Sequence, residues 1–279
     1  MSYSFINMTG NKKNISSQIF SFLEADKCKD LTYIEPFFGS GGAYCNLPVK
    51  FKEYRCSDIV PYLIEFLNST QSIFSDELLS NFYNFVCNTW DIEEEREDYY
   101  EYREWWNDNK DISLECKTIG FVILVNSCIN GMIRFGPTGR FNQSFGHRIM
   151  SQNKLLKSKQ YIKPNSLFQV QDFRKIIPYP NSLMYLDPPY LNTGALNELV
   201  PFFKWIEKDD KDLSSLILDQ DKIGGYFILS NINNPSSVLQ RNLSHFKIIP
   251  IKKKYKVTPW MYKAKDYQEI IITNYPVKG

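Results

Sequence analysis

The segment Leu186-Asp187-Pro188-Pro189-Tyr190 places a carboxylate, two prolines and an aromatic ring directly after the apolar run Leu183–Leu186. A strand ending there puts Asp187 at the carboxyl edge of a sheet, in the crevice where α/β folds take ligands. The grouping suits an amino group that has to act as a nucleophile. An exocyclic purine amine has its lone pair delocalised into the ring and attacks poorly until hydrogen bonds bias the nitrogen toward sp³. The Asp187 carboxylate and the Pro188 carbonyl can each accept one N–H, which leaves the lone pair aimed at a methyl donor. Pro188 and Pro189 fix φ and bring no backbone donors, so they stiffen that carbonyl. Tyr190 offers a face on which a base taken out of a duplex can stack. The same residues also read as a plain surface turn; their place after a strand, with a glycine loop upstream, weighs against that.

The upstream loop is Glu35-Pro36-Phe37-Phe38-Gly39-Ser40-Gly41-Gly42. Such a strand-to-helix turn lets backbone approach a ligand closely, and taken alone it serves NAD as well as any other nucleotide. Its three glycines within four residues, after Pro-Phe, depart from the GxGxxG spacing of a dinucleotide fingerprint. Asp58 closes the next apolar stretch and suits ribose hydroxyls, or equally a cap on its own strand end. The six cysteines at 28, 45, 56, 87, 116 and 128 show no CxxC spacing and read as reduced thiols. No Pro-Cys dipeptide exists, which argues against covalent attack on cytosine C5. With only His147 and His245, a histidine-rich metal site is excluded, and no metal is expected.

These residues need a scaffold. Short strands are expected at Leu31–Ile34, Tyr54–Cys56, Leu167–Val170, Leu183–Leu186 and Tyr226–Ser230, and a helix at Leu213–Asp221. Phe246–Tyr255 and Tyr267–Asn274 read as an antiparallel pair closing one sheet. Between them, from about Tyr62 to Asn130, the pattern is helical. Gly136-Pro137-Thr138-Gly139 reads as a tight turn joining two strands, Met132–Phe135 and Arg140–Phe145. The fold class is therefore α/β, with a doubly wound core over 1–61 and 160–279 split by a mostly helical insert over 62–159. No apolar run approaches the ~20 residues of a membrane span, and the N-terminus lacks a signal-peptide layout, so a cytoplasmic protein is expected.

The net charge is only +2, but it is unevenly spread. Trp90–Glu115 carries eleven acids against three bases, Arg134–Lys175 nine bases against one acid, and Lys247–Lys265 seven lysines and no acid. Each run alone reads as a solvated face; two basic runs together point to a polyanion.

On these motifs, in this order and over nearly the whole length, the chain resembles the Dam family of DNA adenine-N6 methyltransferases, especially its compact phage-type members. The resemblance implies a Rossmann-like class I core, S-adenosylmethionine as cofactor, and double-stranded DNA as partner. It further implies methylation of a flipped adenine at GATC or a similar site, a restriction-modification setting, and a monomer or weak dimer. Thr9-Gly10-Asn11-Lys12 resembles the family's donor-binding element, with Met8 where the family has an aromatic residue. Lys12, Met8, the loop Glu35–Gly41 (Pro36, Phe37, Phe38, Gly39 and Ser40 within it), Asp58 and Asp187 then take the donor. Gln171-Asp172-Phe173 resembles the element that packs on the donor adenine. Asn130-Gly131-Met132-Ile133-Arg134 and Gly139-Arg140-Phe141-Asn142 resemble the recognition hairpin, so Asn130, Met132 and Arg134 approach base pairs, as does Arg148. Asn142 belongs with them, and Ser144 stands where the family has proline. Arg140, His147, Lys252 and Lys253 are expected on phosphates. Methyltransferases acting on RNA or on a glutamine side chain share related Pro-Pro-Tyr sites, but the long insert argues against them. A non-catalytic DNA-binding relative is disfavoured by the intact Asp187–Tyr190 and Lys12.

Overall fold

A seven-stranded sheet carries the chain, in the order β3-β2-β1-β4-β5-β7-β6. The computed structural model describes residues 2–8, 10–90, 96–109, 111–190, 205–252 and 268–277. The strands are β1 (Thr32–Glu35), β2 (Glu53–Asp58), β3 (Ser166–Val170), β4 (Ser182–Leu186), β5 (Tyr226–Ile232), β6 (Lys247–Pro250) and β7 (Glu269–Thr273). The helices are α1 (Ser16–Ile19), α2 (Ala25–Cys28), α3 (Gly42–Cys45), α4 (Pro61–Ser72), α5 (Asp76–Thr89), α6 (Arg96–Asp108), α7 (Leu114–Ser127), α8 (Gln152–Tyr161), α9 (Glu207–Lys222) and α10 (Val238–Asn242). β1 to β5 run parallel, and β7 is antiparallel to both β5 and β6. Each expected strand of the core is present within a few residues; of the tail pair, β6 and β7 form as expected where described, while 253–255 and 267 lie outside the described residues.

Strand order reverses between β1 and β4, which are hydrogen-bonded neighbours in the register Thr32↔Ser182 to Ile34↔Met184. Loops leaving two such strands diverge to opposite faces and open a crevice at their carboxyl ends. Glu35 ends β1, Asp187 follows β4, and Asp58 ends β2 beside them. Side chains alternate across the sheet. Tyr33, Leu183, Tyr185, Ile228 and Ile271 enter one hydrophobic cluster, while Ile34, Met184, Leu186, Phe227, Leu229 and Ile270 enter the other with Leu213 and Ile217 of α9. β4 is buried along its whole length, as a central parallel strand covered on both faces has to be.

The helical segment between β2 and β3 has no cluster of its own. Leu63 and Phe66 of α4, Val86 of α5, Trp106 of α6, Phe121 of α7 and Leu155 of α8 share the first cluster with the sheet. α4 also grips the edge strand directly, through Asn68 Nδ2 to Phe168 O at 3.2 Å and Gln71 Nε2 to Ser166 O at 3.0 Å.

The two strands expected at 132–135 and 140–145 are shorter than the sequence suggests. They reduce to isolated bridges, Phe135↔Phe141 and Cys128↔Phe145. The turn itself is as expected, with Gly136 N to Arg140 O at 2.8 Å and Asn142 N to Arg134 O at 3.1 Å. The ladder stops because Met132 and Ile133 leave it to line the crevice. Among the described residues, no helix is long and apolar enough to cross a membrane, and no cluster of three or more His, Cys, Asp or Glu side chains is placed to hold a metal ion.

Candidate active site

The N-terminal segment lies across the crevice and is held there by side-chain amides. Asn126 of α7 accepts from Asn7 N at 2.9 Å and donates to Phe5 O at 3.3 Å. Asn11 Oδ1 then accepts from Lys13 N at 2.9 Å, capping a single 3-10 turn over Lys12–Asn14. That cap requires the glycine loop to be bare: a Cβ on Gly42 would lie 2.1 Å from Asn11 Oδ1. Lys12 is thereby driven inward and buried.

Its ammonium lies 2.7 Å from Asp187 Oδ1, donates to Gly10 O at 3.2 Å, and sits 5.2 Å from the centre of the Tyr190 ring. Burial works against a charged lysine, but the Asp187 carboxylate, with Tyr185 and Glu269 adding to it, holds Lys12 above its ordinary range. Burial pushes the Asp187 carboxyl up, and the Lys12 ammonium pulls it back. Tyr190 OH donates to the same oxygen, Asp187 Oδ1, at 3.2 Å. Oδ2 of Asp187 takes no hydrogen bond from a described residue, and Asp187, Pro188, Pro189 and Tyr190 all line the crevice.

The glycine loop brings Gly39 N within 2.7 Å of Asp58 Oδ2, and Val60 N binds Asp58 Oδ1 at 3.0 Å. Asp58 is therefore a strand-end cap, and it also faces the crevice. A carboxylate has about four acceptor sites, so the cap leaves Asp58 acceptor capacity toward the crevice. Glu35 is buried and accepts from Tyr33 OH at 2.8 Å. Burial raises its carboxyl well above the usual range, Tyr33 opposes this, and the nearby Asp187 and Asp58 add to it.

At the far end, Phe37 and Phe173 lie 5.2 Å apart, and Trp205 closes a triangle at 5.7 and 5.4 Å. Asp172 beside them caps the turn carrying Phe173 and pairs with Arg174, which also reaches Asp209 and Asp212 of α9. Met8, Pro36, Phe38 and Ser40 line the crevice as expected; Gly41 does not, and turns back onto the Phe5 and Phe38 rings. Sequence reasoning missed Trp205, Val60, Leu63 and Ile133, which line it too. Trp205 carries no motif; only its distance from Phe37 and Phe173 in space reveals it.

The expected recognition residues scatter more. Met132 enters the crevice. Asn130, Arg134 and Arg148 are exposed. Asn130 (φ 56°) and Gly131 (φ 61°) make a left-handed corner, and a Cβ on Gly131 would fall 1.1 Å from Asn7 O, so the corner is pressed against the N-terminal segment. Asn142 Oδ1 is buried without a hydrogen bond, and the Ser144 carbonyl accepts from Ile129 N at 2.9 Å. Arg140, expected on phosphate, is paired at 2.5 Å with both Glu104 and Asp108. Lys252 is exposed; Thr9 and Lys253 lie outside the described residues.

Comparison with known proteins agrees with this architecture. The chain is 29% identical to the type II methyltransferase M.MjaIII of Methanocaldococcus jannaschii, over 97% of this chain and 98% of that one. It is 24% identical to the type II methyltransferase M.FokI of Planomicrobium okeanokoites and 24% to the modification methylase StsI of Streptococcus sanguinis, spanning 42% and 43% of those longer proteins. Residues 9–257 match one family throughout, glycine loop, helical segment and Asp-Pro-Pro-Tyr included. The chain belongs to the D12 class N6 adenine-specific DNA methyltransferases.

Proposed function

We propose that the protein methylates adenine N6 in duplex DNA at a specific site, GATC or similar, with S-adenosylmethionine as donor. Residues 62–159 serve as its target-recognition segment. The observation that carries this is Asp187: it lines the crevice with one oxygen fixed by Lys12 and Tyr190 and the other without a hydrogen bond from a described residue. That second oxygen accepts one N6–H, the Pro188 carbonyl accepts the other, and the Tyr190 face stacks on an adenine turned out of the helix.

The crevice fits the donor. Phe37, Phe173 and Trp205 suit a purine ring, and Asp58 suits ribose hydroxyls. Glu35, Asp58, Asp172 and Asp187 face one cationic side chain, Lys12, among the described lining residues, an excess of acid that suits a positively charged ligand. When bound, S-adenosylmethionine supplies an electrophilic methyl group on a sulfonium. The decisive experiment is single-molecule sequencing of DNA from cells expressing the protein. A recurrent motif around N6-methyladenine is expected, and its absence overturns the proposal.

Glu35 gives this fit a pH signature. Burial raises its carboxyl and so favours the protonated form in the free protein, whereas a cationic ligand favours the ionised form. Donor binding should therefore release a proton, with affinity climbing as pH rises from the ordinary glutamate range through the raised value. By the same sign, the unliganded protein loses Glu35's share of stability across that window. Calorimetry in buffers of differing ionisation heat reads the release. Glu35→Gln should abolish it, and a wild type that releases no proton would show that Glu35 does not respond to the donor.

Arg134 is exposed at the hairpin, where an arginine can give two hydrogen bonds to guanine O6 and N7. Arg134→Ala should cost about 1–3 kcal/mol on the true site and much less on a duplex altered at the base pair it reads. Rates on cognate and singly substituted duplexes separate this from a phosphate contact, which would lower both alike.

A further inference from the structure

We propose that α6 acts as a surrogate edge strand for the recognition hairpin, with Asn107 as its positioning residue, and that Arg140 belongs to this brace rather than to the DNA contacts. The inference rests on reading the hairpin as the base-reading element.

A two-stranded hairpin leaves one edge of each strand without partners. The inner edge of the second strand is met by the first, through the Arg140 carbonyl and the Asn142 N–H. The alternate groups, on Phe141 and Gln143, face outward and have to be satisfied elsewhere. They are satisfied by side chains of one helix. Asn107 behaves as a strand residue would, its Oδ1 accepting from Phe141 N at 2.8 Å and its Nδ2 donating to Phe141 O at 2.9 Å. One turn back, Arg103 Nη1 donates to Gln143 O at 3.0 Å, and one turn further back Tyr99 OH donates to the same oxygen at 3.3 Å.

The match is geometric. Four helical residues advance about 6 Å along the axis, and two strand residues advance about 6.6 Å. A ridge of side chains at i and i+4 can therefore address alternate peptide groups of a strand lying alongside. The neighbouring ridge, Glu104 and Asp108, holds the Arg140 guanidinium at 2.5 Å from each carboxylate. Glu104 also pairs with Arg103 at 2.7 Å, so two carboxylates balance two guanidinium groups, and a phosphate brought to Arg140 would meet both carboxylates. Below, Phe141 is fully buried against Trp106 and Phe121, which fixes the height of the hairpin over α6 while the hydrogen bonds fix its sliding position.

The test uses the full chain and equilibrium binding to labelled duplex; its Arg140 arm needs no methyl transfer and is read whether or not the proposed chemistry holds, while its Asn107 arm uses the methylation motif. For duplex of any sequence, the slope of log affinity against log salt falls by about one for each phosphate that the protein no longer neutralises. Arg140→Ala should keep the wild-type slope, whereas a slope reduced by about one would return Arg140 to the DNA backbone and overturn its assignment. Asn107→Ala should narrow the ratio between the motif found by sequencing and its singly substituted variants about tenfold, with salt slope and donor affinity unchanged. Asn107→Asp keeps the acceptor for Phe141 N–H and loses the donor to Phe141 C=O, so it should fall between wild type and alanine. If Asn107→Ala does not fold, the comparison is read from Asn107→Asp. Equal weakening on all duplexes, or wild-type selectivity in a folded variant, overturns the role of Asn107.

Discussion

Asp187→Ala is expected to abolish methyl transfer while leaving most duplex affinity and the fold in place. The carboxylate follows β4, is fixed by Lys12 at 2.7 Å, and lines the crevice beside the Tyr190 ring. Without it N6 loses the hydrogen bond that localises its lone pair, and among the described neighbours no second carboxylate follows β4: Pro188 and Pro189 bring no side-chain acceptors, and Tyr190 brings only a neutral hydroxyl. Duplex affinity should persist because phosphate contacts supply most of it. Single-turnover rates with tritiated donor, beside anisotropy for DNA, check both halves. A variant keeping more than a few per cent of the wild-type rate would refute the acceptor role of Asp187.

Lys12→Met should produce the second largest effect, with a pH dependence that Asp187→Ala cannot imitate. Removing one partner of a buried ion pair costs about 3–5 kcal/mol, lessened here as Asp187 takes up a proton. The sign follows from the opposed influences on Asp187: burial raises its carboxyl and Lys12 lowers it. Deleting the ammonium leaves burial unopposed, so Asp187 is protonated further up the pH scale. A protonated carboxyl keeps less acceptor capacity, and the rate at neutral pH should fall steeply, then recover as pH rises through the new value. A pH–rate profile with a melting curve at each pH measures this. A loss of equal factor at every pH would place Lys12 on the donor alone.

Contiguous features were legible in the sequence. The Asp187–Tyr190 segment and the glycine loop are local patterns whose position after apolar runs already implied the carboxyl edge of a sheet. The tail strands were legible for the same reason. What stayed hidden depends on distant pairing. The contact of Lys12 with Asp187 exists because strand order reverses beside β1, and the cap of Asn11 over Gly42 presses the lysine inward. Resemblance gave Lys12 to the donor; geometry adds its grip on the carboxylate. Trp205 reaches the crevice only because α9 begins there, with Asp210 accepting its indole N–H at 2.8 Å. The acidic run at 90–115 and the basic run at 134–175 were read separately as solvated faces or a polyanion site. In space they touch, and Arg140 is spent on Glu104 and Asp108.

The shared cluster beneath α4, α7 and the sheet has a consequence for how new specificities can arise in this chain. A recognition segment with its own core can be exchanged between relatives as a cassette, each half melting at its own temperature. Here Phe66, Phe121 and Tyr185 belong to one packed cluster, so the interior of residues 62–159 is continuous with that of the sheet. Grafting a foreign segment would open voids against the sheet, each large buried side chain removed costing about 2–5 kcal/mol. Under the proposed function, changes of target sequence are expected as point changes at exposed positions such as Asn130, Arg134 and Arg148, whose side chains lie outside the common interior.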